Sequence, residues 1–230
     1  MKKLLLLLTI LFSIGLMLAV ESDPSATVGY FKKSVASDGW EAFSLPFYYP
    51  SLSPDAVLGT QFGDLDTVSD MATGENVFYI TGAGWLGSIV EMTYGHAYWI
   101  YRDMSNSALD YYILGKVDPQ PVTIHVSGDD EGNWAPFSLN EARQIDINTL
   151  PVTGVVDIDT IVDISTGENS FYITGVGWLG SLFYVDPTHA YWYNSLSPTS
   201  YNWTYTPAAR SAVTNPAPAR VLPNDLRSSK

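Results

Sequence analysis

The stretch TGENVFYITGAGWLGS at residues 73–88 returns as TGENSFYITGVGWLGS at residues 166–181, a spacing of 93. Widening the match to 66–99 against 159–192 gives 21 identities in 34 positions, where unrelated segments would share roughly two on average residue frequencies. The chain carries an internal duplication. A 93-residue period is longer than one solenoid or propeller unit, so the expected architecture is two tandem copies of one small domain, at 28–117 and 122–206. The link Asp118-Pro119-Gln120-Pro121 is too short for free tumbling.

Within each copy the apolar residues alternate as strands do. Phe78 and Ile80 point one way and Tyr79 and Thr81 the other. Val77 becomes Ser170 on the tyrosine side, which assigns Phe78, Ile80, Phe171 and Ile173 to the core. Gly82 to Gly84, and Gly175 to Gly177, are expected to form turns with positive φ, from which Trp85 and Trp178 open a returning strand. On that strand Val90 and Met92, matched by Phe183 and Val185, are expected to face inward. Residues 28–35 match 122–128 at an offset of 94, so the copies differ by one residue between Leu45 and Asp66, where a proline-bearing loop can absorb it. Pro46 and Pro136 confine their strands to an edge, a terminus or a bulge. About six strands per copy and no helical period give an all-β fold: two antiparallel sandwich-like or barrel-like domains of about 90 residues. Tyrosine (15), phenylalanine (9) and tryptophan (7) are abundant and only 15% of residues are charged, in keeping with strands.

Met1-Lys2-Lys3 followed by the apolar run 4–19 reads as a signal peptide cleaved near Ala19 or Val20. The rival reading, a membrane anchor, needs roughly 20 apolar residues, slightly more than the run supplies. No cysteine is present, so an exported chain must rely on its core rather than on disulfides. Residues 207–230, rich in proline, alanine, asparagine and arginine, are expected to stay unfolded. Between residues 28 and 207 there are 21 acidic and 5 basic residues, a net of 5 − 21 = −16 with histidines neutral. Nucleic acid and anionic membranes would be repelled.

Candidate functional residues follow the repeat. Trp85 and Trp178 sit in Gly-x-Gly-Trp-Leu-Gly, where small neighbours could leave an indole face open to stack on a sugar ring or a partner's side chain; the competing reading folds the indole back over its own turn. Tyr98 and Tyr191, beside the repeated His96 and His189, join them as ligand-binding candidates. The histidines themselves read as strand-start imidazoles bonded to backbone or a carboxylate. Trp40, Trp99, Trp134 and Trp192 read as core anchors. Asp64, Asp66 and Asp70 recur as Asp157, Asp159 and Asp163. Closely spaced aspartates can offer hard oxygen ligands to Ca²⁺, although aspartates in bends more often satisfy backbone N–H groups.

The run VGYFKKSVASDGWEAFSLPF, then VLG, TGEN-FYITG-GWLGS, HAYW and a closing Leu-Gly-Lys-Val strand resembles the tandem Trp/Gly-rich β repeats of uncharacterised secreted bacterial proteins. The second copy departs from the pattern at Asn133-Trp134 and at Asn140. The resemblance implies export and architecture, with no known activity, cofactor or catalytic residue. No nucleophile motif supplies a partner for either histidine. The expected function is that of a secreted, non-catalytic β module that binds or scaffolds at the cell surface or in the extracellular space, with a glycan or a protein as partner and no cofactor. The alternative is a carbohydrate-active hydrolase using acids near Asp64 or Asp157.

Overall fold

The computed structural model describes residues 28–128, 133–150 and 154–207. The expected leader and all but the first residue of the expected tail lie outside those residues. The first copy runs β1 (Val28–Val35), β2 (Gly39–Phe43), a short helix α1 (Pro54–Leu58), β3 (Thr67–Asp70), β4 (Asn76–Ile80), β5 (Gly84–Gly87), β6 (Tyr98–Arg102) and β7 (Leu109–Lys116). The second runs β8 (Val122–Val126), β9 (Asn133–Phe137), β10 (Ile145–Asp146), a 3₁₀ turn (Ile147–Thr149), β11 (Thr160–Asp163), β12 (Asn169–Ile173), β13 (Gly177–Gly180), β14 (Tyr184–Val185), β15 (Tyr191–Ser195) and β16 (Tyr201–Tyr205).

Each copy is a small antiparallel sandwich. A five-stranded sheet, ordered β2-β6-β3-β4-β5 in one copy and β9-β15-β11-β12-β13 in the other, lies over a two-stranded ribbon, β1-β7 or β8-β16. The first core gathers Val35, Tyr111 and Ile113 from the ribbon with Phe43, Val68, Val77, Tyr79, Tyr98 and Ile100 from the sheet. The second repeats the plan with Phe137, Ile161, Tyr191, Tyr193 and Trp203. Pro136 lies on an edge strand, as its missing N–H requires. Gly82 and Gly84 have φ of 83° and 84°, so the hairpin turn needs the positive φ read from the sequence.

The helix was not expected, and its cause is local. Ser53 caps it by accepting the Ala56 N–H, and Pro54 begins it where an N–H is not needed. Its Asp55 accepts the backbone N–H of Trp85, a bond that Asn148 of the 3₁₀ turn makes to Trp178. These equivalences place the first copy's extra residue between Leu45 and Leu52, since Leu52 bonds Met92 as Ile145 pairs with Val185.

Alignment of the first strands is corrected. Lys33 lies opposite Tyr111 and Ile124 opposite Trp203, and Tyr111 and Trp203 each meet the same core phenylalanine edge-on, Phe43 and Phe137. Lys33 and Ile124 are therefore equivalent, at an offset of 91. Six residues separate β8 from β9 where three separate β1 from β2, and that longer connection absorbs the difference.

The facing of β4 and β12 is also corrected. Val77, Tyr79 and Ser170 are buried, whereas Phe78 and Phe171 point outward with 37% and 38% of their surface exposed and Ile80 and Ile173 are half-buried. A buried serine is tolerated because its hydroxyl donates to the Leu182 carbonyl at 2.7 Å. On the following strand Met92 and Val185 are inside, as expected, while Val90 and Phe183 are exposed.

The copies meet along a seam with near two-fold character. Ser44 N–H donates to the Thr188 carbonyl at 3.1 Å, and the equivalent Ser138 N–H donates to the Gly95 carbonyl at 2.8 Å. Reciprocal contacts between like residues mark a self-complementary interface. Buried Ala42, Ala97 and Ala190 let the backbones approach, flanked by Met71, Trp99 and Ile164. Tyr94 packs on both cores. Asn140 is buried at the seam, its Nδ2 donating to the Leu45 and Phe47 carbonyls of the other copy and its Oδ1 accepting from Gln120 N–H.

Candidate functional site

The aromatic candidates from the Gly-rich hairpins lie inside the molecule. Trp85 and Trp178 are buried, each edge-on to the tyrosine across its own hairpin, Tyr79 at 5.4 Å and Tyr172 at 5.5 Å. The indole folds back over its turn, and a tyrosine holds it there. Tyr98 and Tyr191 are fully buried. Their hydroxyls accept the N–H of Thr93 and of Asp186, and burial pushes both phenols well above their ordinary pKa. None of the four presents a ring to solvent, so the ligand-stacking role assigned to them is withdrawn. Small neighbours in sequence did not mean open space around the ring.

Each repeated aspartate is committed to local structure. Asp64 and Asp157 accept the N–H of Thr81 and of Thr174 at 2.6 Å, and those bonds hold their carboxyls below the usual range. Asp66 is buried against the Arg102 guanidinium and accepts the N–H of Gly63 and of Asp103. Among the described residues its counterpart Asp159 meets no cation. Instead it accepts from the Tyr193 hydroxyl at 2.7 Å, from the Ser195 and Tyr201 hydroxyls, and from Leu196 N–H.

Asp70 bonds His96 Nδ1 at 2.6 Å and Asp163 bonds His189 Nδ1 at 2.7 Å, so the histidines sit against a carboxylate as expected. Burial pushes these two carboxyls up. The imidazole contact and two backbone N–H groups outweigh it, and both stay below their ordinary value. Among the described residues no three His, Asp or Glu side chains gather as a metal site.

What the sequence reading missed is the outer face of each large sheet. Trp40, Tyr101, Thr67, Phe78 and Leu86 are successive cross-strand partners, one from each of the five strands. Trp134, Asn194, Thr160, Phe171 and Leu179 form the same row in the second copy. Trp40 is 56% exposed and Trp134 50%; Trp99 and Trp192 are half-buried beside them. The expected core anchors are therefore a surface. The signal was available in WEAF and WAPF, since Phe43 and Phe137 are buried and a residue three positions earlier on a strand must face the other way.

Aromatic rings interleaved with Thr67, Ser69, Asn76, Thr160, Asn169 and Asn194 offer apolar faces with hydrogen-bonding groups between them. Such a surface can hold a partner by stacking and polar contact. Comparison with family models, with curated proteins and with solved structures finds no match.

Proposed function

We propose that the chain is an exported, non-catalytic recognition module that binds or scaffolds at a cell surface or in the extracellular space. The observation that carries this reading is the exposed aromatic row on the outer face of both large sheets, which starts on the edge strands at Trp40 and Trp134. Exposed aromatic patches rimmed by polar groups mark interaction surfaces. Duplication supplies two such faces on one chain, which raises avidity for a repetitive partner. The likeness to secreted Trp/Gly-rich repeats supports export and adds no chemistry.

The hydrolase alternative needs a carboxylic acid that keeps its proton near neutral pH. Asp64, Asp70, Asp157 and Asp163 are instead held below the ordinary carboxylate range by hydrogen bonds. The deciding experiment probes the immobilised full chain with a glycan array and with cell-surface extracts, alongside a Trp40→Ala/Trp134→Ala double variant. Retention by the parent and loss by the variant is expected. Equal behaviour of the two, or turnover in a broad glycosidase screen, would overturn the reading.

A further inference from the structure

The seam between the copies has two flanks, made equivalent by its near two-fold relation. On one flank the Thr188-His189 corner of the second copy meets β1 and β2 of the first. Lys33 fills that space. Its buried Nζ lies 2.8 Å from the Glu41 carboxylate and donates to the Ala42 carbonyl at 2.5 Å and the Thr188 carbonyl at 3.3 Å.

On the other flank the Gly95-His96 corner of the first copy meets β8 and β9. There Ile124 occupies the place of Lys33, and Ala135 the place of Glu41. Both members of the ion pair are replaced together, and neither replacement reaches across the seam with a charged group. A hollow of about 310 Å³ results, lined by His96, Thr123, His125, Ser127, Trp134 and Ala135 among others.

Trp134 is also freed on its outer side. Trp40 is braced by Tyr101 at 4.8 Å and by Trp99 at 6.3 Å. Asn194 takes the position of Tyr101 opposite Trp134, and among the described residues no ring packs on Trp134. A second hollow of about 310 Å³ opens there, against Val162 and Trp192. Three differences between the copies, at Ile124, Ala135 and Asn194, therefore converge on one indole.

We propose that the seam flank between the Gly95-His96 corner of the first copy and β8 and β9 of the second carries a binding site for a neutral carbohydrate, with a sugar ring stacked on Trp134 and its hydroxyls paired with Thr123, Ser127 and the two imidazoles in the seam hollow. The proposal rests on the reading of the chain as a recognition module and assigns that module its ligand class. Among the described residues lining the hollow none is Asp, Glu, Lys or Arg, and those residues offer an ion hydrogen-bonding groups but no full counter-charge for the hydration it would lose. The Nδ1 atoms of His96 and His125 are held by Asp70 and Asn202, and a purely apolar ligand would leave their Nε2 atoms facing it without a partner. The volume is at the small end for ligand pockets. A folded protein partner needs a patch of about 800 Å² and would use the flat outer face instead.

The test titrates the full chain with neutral oligosaccharides identified on a glycan array, read by quenching of tryptophan fluorescence. Trp134→Ala is compared with the double variant Ile124→Lys/Ala135→Glu, which rebuilds the plug, and with Ala135→Leu, an uncharged filler. Tyr30→Ala, an exposed change on β1, is the control, and melting temperatures confirm that each variant is folded. The three changes in the hollow are expected to weaken sugar binding about tenfold or more, with Tyr30→Ala unchanged. Binding that ignores both fillers, or a loss on Trp40→Ala as large as on Trp134→Ala, overturns the seam site while leaving the wider reading intact. Retention of a surface protein with no sugar bound overturns carbohydrate as the ligand class. Retention of neither is the failure of the wider reading itself.

Discussion

At two equivalent places the first copy neutralises buried charge with charge and the second does without. Asp66 and Asp159 occupy the same place, both fully buried, yet one is answered by Arg102 and the other by the hydroxyls of Tyr193, Ser195 and Tyr201. Likewise Lys33 and Glu41 are exchanged as a unit for Ile124 and Ala135. Burial lowers the pKa of Lys33 and the Glu41 contact only partly restores it, so removing the pair takes away a costly cation as well as a contact. The lesson is that the strand frame accepts either solution, provided both partners change together. The second solution leaves a hollow at the seam beside Ile124 and Ala135.

That contrast can be broken most directly at the buried aspartates. Arg102→Ala strands Asp66 and is expected to cost about 3–5 kcal/mol, whereas Ser195→Ala removes one of several neutral donors from Asp159 and is expected to cost about 1 kcal/mol. Urea unfolding checks both, and equal losses would show that the two carboxylates are held alike. Asn140→Ala comes next, at about 1–3 kcal/mol, because two buried carbonyls and an N–H lose their partner. It should also loosen the coupling between copies, so calorimetry should show the single transition separating into two. A single sharp transition at a lower temperature would mean that the seam does not depend on this residue.

The smallest effect belongs to the Asp70–His96 and Asp163–His189 pairs, where the copies agree and the imidazoles are partly solvated. Both carboxyls are held below their ordinary value of 3.8 in the folded state. Their contribution is complete above that value and is lost as pH falls through the lower folded one. An Asp70→Asn/Asp163→Asn variant should therefore lose less stability on acidification than the parent in urea titrations from about pH 6 to about pH 2. Parallel curves would contradict this. Single substitutions should contribute about equally, and an effect confined to one copy would break the equivalence of the pairs.

The duplication, the all-β class, the edge position of Pro136 and the histidine–carboxylate contact were legible because each depends on local pattern or on repetition of the pattern. Facing was not. Ser170 in a core position reads as an outward residue until its bond to the Leu182 carbonyl is seen, and Trp40 reads as an inward one because its size suggests burial. The ion pair Lys33–Glu41 and its loss at Ile124 and Ala135 were hidden for another reason. The longer β8–β9 connection shifts the true correspondence by three residues from the one the letters suggest, so no inspection of aligned positions would pair Lys33 with Ile124. Contacts between the copies depend on how two surfaces meet, which a strand pattern does not encode.

The reciprocal bonding of Ser44 and Ser138 has a consequence for assembly. A patch that recognises its own likeness is saturated once two copies have met, unlike the stacking faces of a solenoid, which pass on an unfilled surface with every added unit. Any further repeat joined to this pair would find that surface already occupied. Growth along this architecture would proceed in couples, not in single file.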